Sequence, residues 1–105
     1  MTDLIVAAEA QCDLDSIAEF IARDSLTAAE QFIDRLNQTF ERLRQAPGVG
    51  SPRNELMRDL RGWAFGSYII YYRMHAENLE ILRVVHSARD QTKIFDAPPA
   101  GSPAQ

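Results

Sequence analysis

The apolar residues of this chain change period part-way along, and that switch constrains the fold more than any other feature. Ala10, Leu14, Ile17, Ala18 and Ile21 fall on one stripe at helical spacing, with Asp13, Asp15, Ser16, Glu19 and Arg23 elsewhere around the axis. A second stripe follows at once: Ala29, Phe32, Ile33, Leu36, Phe40 and Leu43. From Arg58 to His86 the pattern is that of strands. A chain with this switch folds as helices laid on a sheet.

The boundaries follow from local chemistry. Residues 3–8 are a short apolar run with β-branched members and read as a strand. Ala7 stands where a Ser or Thr cap is expected for the first helix, which runs from Glu9 to near Asp24. Thr27-Ala28-Ala29-Glu30 has the form of a capping box, and Ser25 is an alternative cap, so the second helix starts at 25–27. Pro47 and Gly48 stop it and open a turn-rich loop to Pro52. The short link between the helices makes them an antiparallel hairpin.

Three further strands are expected. Arg58–Phe65 is the first, broken at Gly62. Tyr68–Met74 is apolar on both faces, which places it centrally in the sheet. His75-Ala76-Glu77-Asn78 is a four-residue hairpin loop. Leu79–His86 follows, with Leu82 and Val84 on one face and Ile81 and Val85 on the other. Arg89–Phe95 adds a short helical turn. The expected fold is α+β, in the order β-α-α-β-β-β, with the helical hairpin packed on a mainly antiparallel four-stranded sheet. At 105 residues there is room for one domain, expected over 1–96, with 97–105 a flexible Pro/Ala-rich tail.

Charge is distributed unevenly. The net charge is −4, yet residues 1–34 hold eight acids against one base, a net of −7, and residues 35–105 hold ten bases against seven acids, a net of +3. Ten of the eleven bases are arginine, and Lys93 is the only lysine. An acidic total argues against direct DNA binding by this chain alone. A single cysteine, Cys12, forms no internal disulfide and no Cys-based zinc site, and no cofactor motif is visible. No apolar run reaches membrane-span length, and the N-terminus lacks a positively charged leader, so a cytoplasmic protein is expected.

Few residues point to chemistry. His75 sits at a hairpin tip. His86 ends an apolar strand, where it serves either as an acid–base group or as a structural link to the C-terminal segment. The serines lack a nucleophile-elbow context, and no glycine-rich phosphate loop occurs. The arginines stand out. Arg58, Arg61, Arg73, Arg83 and Arg89 lie on or beside strands. There a guanidinium must meet solvent, a carboxylate or a partner, because an unpaired buried charge is costly. One reading is a binding surface that includes Trp63; the other is a set of internal pairs with Asp59, Glu80 and Asp90.

Taken in order, these residues resemble a known family. Asp13-Leu14, Ile17, Ile21, Ala29, Phe32-Ile33, Pro47 and Gly50 come first. Leu60-Arg61, Tyr68-Ile69-Ile70-Tyr71-Tyr72-Arg73, Ile81-Leu82-Arg83-Val84-Val85-His86 and Ala88-Arg89-Asp90 follow. The series is similar to the ParE branch of the RelE/ParE toxin superfamily over roughly residues 3–95. The resemblance implies the same β-α-α-β-β-β fold and a toxin of a type II toxin–antitoxin pair. It implies a non-catalytic inhibitor that binds DNA gyrase, neutralised by a ParD-like antitoxin with a ribbon–helix–helix N-terminus and an acidic helical C-terminus. Arg58, Arg61, Trp63, Arg73, Arg83, His86 and Arg89 would then face the target or the antitoxin. The alternative is a ribosome-dependent mRNA endoribonuclease of the RelE type, with His86 and Arg89 as its chemical groups. Against it, the sheet region has no lysine, and Phe95 stands where that branch carries a tyrosine.

Overall fold

The computed structural model describes residues 2–89 and 91–95. Strand β1 (Leu4–Val6) leads into helix α1 (Ala8–Ala22) and helix α2 (Leu26–Gln45). Strands β2 (Ser51–Pro52), β3 (Arg61–Phe65), β4 (Tyr68–His75) and β5 (Asn78–His86) complete one sheet. Single 3-10 turns at Pro47–Val49 and Gln91–Lys93 link and follow them. The expected tail, 97–105, lies outside the described residues. Among those residues, no helix is long and apolar enough to cross a membrane.

The α+β class and the helical hairpin are as expected, but among the described residues the sheet has five strands, not four, in the order β1-β5-β4-β3-β2. The extra member is Ser51–Pro52, expected as loop, which pairs with Gly62 and Arg61. An edge position tolerates Pro52 because its missing N–H faces away from the ladder. Strand β3 begins at Arg61, three residues later than expected, since Asp59 sits at φ 63°. β1 runs parallel to β5, and the other neighbours are antiparallel.

Each helix end has a local cause. Ala7 caps α1 without any side-chain bond. At α2 it is Ser25 that caps, its Oγ accepting from the Ala28 N–H at 3.1 Å, while the Thr27–Glu30 box is not used. The chain turns at Pro47, where the Tyr72 hydroxyl donates to the Pro47 carbonyl (2.7 Å) and accepts from the Gly50 N–H (2.8 Å).

The helices cover one sheet face. Ala10, Leu14, Phe32, Leu36, Phe40 and Leu43 pack on Ile70, Tyr72, Leu79, Ile81 and Val84. A smaller cluster lies on the opposite face, where Leu60, Tyr71, Val85 and Ile94 are buried with Leu82 and Phe95 beside them. This two-sided burial matches the position of β4 between β3 and β5.

The face assignment of β5 differs from the expectation. Ile81 and Val84 share the helix side, and Leu82 and Val85 the other. A bulge is the reason: Tyr71 pairs with Arg83 and Tyr72 with Ile81, so Leu82 is skipped. One extra residue inverts the alternation beyond it. The expected four-residue loop at 75–78 is also tighter. His75 and Asn78 pair, leaving Ala76 and Glu77 as a two-residue turn at φ 51° and 65°. That is the type I′ pattern, which matches strand twist.

Candidate functional site

The arginines of the sheet divide into two groups. Three are held internally. Arg61 donates to the Gly50 carbonyl at 2.7 Å and to Gly48 at 3.3 Å, bracing the loop after α2. Arg73 pairs with Glu80 across β4 and β5, Nε to Oε1, at 2.8 Å. Arg83 pairs with Asp13 of α1 through two bonds, Nε to Oδ2 at 2.7 Å and Nη2 to Oδ1 at 3.0 Å. The hydrogen bond and charge of Asp13 outweigh desolvation and raise the Arg83 pKa above its ordinary value.

The second group faces solvent. The side chain of Arg58 is 95% exposed and lies only within loose reach of Asp59, at 4.0 Å. Arg89 is exposed, and its guanidinium makes no hydrogen bond to another described residue. His86 is exposed at the end of β5, with its ring edge-to-face on Tyr68 at 5.4 Å. Its Nδ1 accepts from the Ala88 N–H at 3.0 Å. Trp63 is half-buried against α2, beside Thr39, Arg42 and Leu43. The seven residues therefore form no single cluster: Trp63 is largely core, Arg61, Arg73 and Arg83 are tied internally, and Arg58, His86 Nε2 and Arg89 make no side-chain hydrogen bond to another described residue. Of the internal pairs read from the sequence, Asp59 and Glu80 are found with Arg58 and Arg73, and Asp90 lies outside the described residues.

Two concave surfaces were not legible in the sequence. Along the outer side of the helical hairpin runs an apolar cleft of about 750 Å³, walled by Ala18, Ala22, Leu26, Ala29 and Ile33 and rimmed by Glu19, Glu30 and Asp34. Leu26 is 67% exposed there. At the end of the sheet a cavity of about 600 Å³ opens between the hairpin and the β3–β4 turn. It is lined by Phe20, Phe32, Phe65, Tyr68, Arg35 and His86. A signal that could have pointed to it is Phe20, a large aromatic off the α1 stripe and 64% exposed. Among the described residues, no group of three or more His, Cys, Asp or Glu could hold a metal ion.

Residues 4–91 match the family of ParE toxins of the type II toxin–antitoxin system parDE. Toxin ParE1 of Caulobacter vibrioides is 32% identical over 80 residues, covering 75% of this chain and 82% of that protein. A solved chain of the chromosomal ParDE system from P. aeruginosa superposes with a TM-score of 0.69 at 19% identity, covering 82% of this chain and 96% of that one. The last likeness is one of fold.

Proposed function

The chain belongs to the ParE toxin family of type II toxin–antitoxin systems, and from that premise we propose a cytoplasmic toxin that inhibits DNA gyrase by binding it, neutralised by a ParD-like antitoxin. The family match across residues 4–91 carries this reading. The disposition of the polar groups supports binding over catalysis. Arg61, Arg73 and Arg83 are spent on internal bonds, and His86 has one ring nitrogen already engaged. The groups left for a target are Arg58, His86 and Arg89, and the two arginine charges suit an acidic protein surface.

Capture by an antitoxin helix is supported by the cleft on the hairpin. Its apolar walls accept the apolar face of a helix. Its rim is acidic, so the carboxylates of an acidic helix must point away from Glu19, Glu30 and Asp34 and toward arginines beyond the cleft.

A supercoiling assay with the purified chain and gyrase tests the toxin reading, and inhibition relieved by the antitoxin is expected. Absence of inhibition at micromolar toxin overturns it. Codon-specific mRNA cuts after induction, lost in His86→Ala or Arg89→Ala, establish the ribonuclease reading instead. The reading frame beside this one is expected to encode the antitoxin.

A further inference from the structure

We propose that the cavity at the end of the sheet is a binding site for a nucleotide, a base carrying a phosphate. The inference does not depend on the toxin's target. It rests on three features of the cavity.

The first is its wall. Phe65, Phe32, Tyr68 and His86 form a continuous edge-to-face series, with centroid separations of 5.4, 5.7 and 5.4 Å. Such a series is rigid, because each ring fixes the tilt of the next. Phe32 is 6% exposed and forms the floor, whereas Phe20 at the mouth is 64% exposed. An aromatic ring left open to water beside four others offers a stacking face for a planar base.

The second is the polar lining. Arg35 on α2 is exposed, and its guanidinium makes no hydrogen bond to another described residue. The Ala88 N–H occupies Nδ1 of His86, so a neutral ring carries its proton on Nε2 and acts there as a donor. Both groups donate, as a phosphate requires. No carboxylate lines the cavity. In a chain of net charge −4 that is a local reversal, and the neighbouring cleft on the hairpin shows the opposite character with Glu19, Glu30 and Asp34.

The third is how the mouth is built. Gly66 at φ 57° and Ser67 form a two-residue turn between the paired Phe65 and Tyr68. The Ser67 carbonyl accepts from the Ser87 N–H at 2.8 Å, which holds the end of β5, and so His86, against the turn. The site is preformed, and its volume of about 600 Å³ lies within the range of small-ligand pockets.

The experiment is a titration of the purified full-length chain, followed by amide shifts of Gly66 and Ser67 in an NMR spectrum. Deoxyadenosine monophosphate is expected to bind saturably. Adenosine and inorganic phosphate should each bind at least about tenfold more weakly, since each keeps only half of the recognition. Arg35→Gln and His86→Gln should each weaken binding at least about fivefold, and Arg35→Gln should do so with unchanged thermal melting because its side chain is exposed and bonded to no other described residue. A 5′-phosphorylated oligothymidylate that binds tighter than the mononucleotide assigns the ligand to a nucleic-acid strand; equal affinity assigns it to free nucleotide. Either result supports the site. The absence of saturable binding by both probes overturns it, as does binding unchanged in the Arg35→Gln/His86→Gln double variant. Displacement of the nucleotide by an acidic peptide that binds more tightly also overturns it.

Discussion

Asp13 of α1 holds Arg83 of β5 and, with the same carboxylate, the backbone beside it: Oδ2 lies 2.7 Å from Arg83 Nε and 2.9 Å from the Val84 N–H. The two side chains are 15% and 18% exposed. The placement has a topological cause. β1 pairs with β5 only as far as Ile81, where the Ala7 N–H reaches the Ile81 carbonyl and the chain leaves the sheet to begin α1. Beyond that point the edge of β5 has no strand beside it, and Asp13 supplies the missing acceptor.

This arrangement predicts unequal losses for the two partners. Asp13→Ala strands a mostly buried guanidinium and the Val84 N–H, and should cost about 3–4 kcal/mol. Arg83→Ala leaves Asp13 bonded to Val84 and should cost about 1 kcal/mol less than that. Urea unfolding of both variants checks the order. Equal costs, or a larger loss for Arg83→Ala, would show that the backbone bond adds nothing.

The same pair shows how far the sequence could be read. The two stripes, Ala10–Ile21 and Ala29–Leu43, located the helices because amphipathic periodicity is a local property. Asp13 looked like a solvated helix residue, and its partner lies seventy positions away, so no window could connect them. The inverted faces of Leu82 and Val84 arise from a bulge, which depends on the register against β4 and leaves no mark in β5 itself. Residues 51–52 are a strand only because β3 pairs with them. The arginines were visible as a group. Their division into bonded and free was not, since it rests on Gly48, Gly50, Glu80 and Asp13 being nearby in space.

Gly50 is required for its lack of a side chain. A Cβ built there would lie 2.3 Å from the Tyr72 hydroxyl oxygen. Gly50→Ala must therefore displace a fully buried ring that anchors Pro47, and should destabilise by about 2–3 kcal/mol. Pairing it with Tyr72→Phe removes the nearest clashing atom and leaves only ring carbons at 2.9 Å, so the double variant should lose less than the sum of the singles. Thermal melting of the three variants tests this, and strict additivity would refute it.

Alkaline pH should unfold the protein through its buried tyrosines. Burial raises the pKa of Tyr71 and Tyr72 above the ordinary 10.0; for Tyr72, the Gly50 N–H bond and Arg61 only partly oppose it. Both groups stay protonated longer when folded, so the unfolded chain binds fewer protons. Their contribution is complete below pH 10 and is lost as pH rises through the folded values, by up to about 1.4 kcal/mol per pH unit for each tyrosine. Urea midpoints measured from pH 8 to 12 should fall above 10, and less steeply in Tyr72→Phe.

The β4–β5 turn carries avoidable strain. Ala76 and Glu77 both adopt positive φ, a conformation that side chains resist. The pair Asn-Gly suits both positions. Ala76→Asn with Glu77→Gly should raise stability by about 1–2 kcal/mol, read as a higher urea midpoint with an unchanged slope. A lower midpoint would mean that the present side chains make contacts worth more than the strain.

Charge reversal separates partner contacts from folding. Arg58 and Arg89 are exposed and at most loosely paired with described residues, so Arg58→Glu and Arg89→Glu should shift stability by no more than about 0.5 kcal/mol. If they face gyrase, each should weaken inhibition by about tenfold or more, with the larger loss at low salt because exposed charges are screened. Arg73→Glu should behave differently. It sets two carboxylates opposite each other at Glu80 and should lower the melting temperature before any effect on inhibition can be read. Melting and supercoiling assays on the three proteins distinguish the cases. If Arg58→Glu and Arg89→Glu both inhibit gyrase like the parent chain, the solvent-facing arginines are not the target surface, and the apolar cleft of the hairpin becomes the surface to vary next.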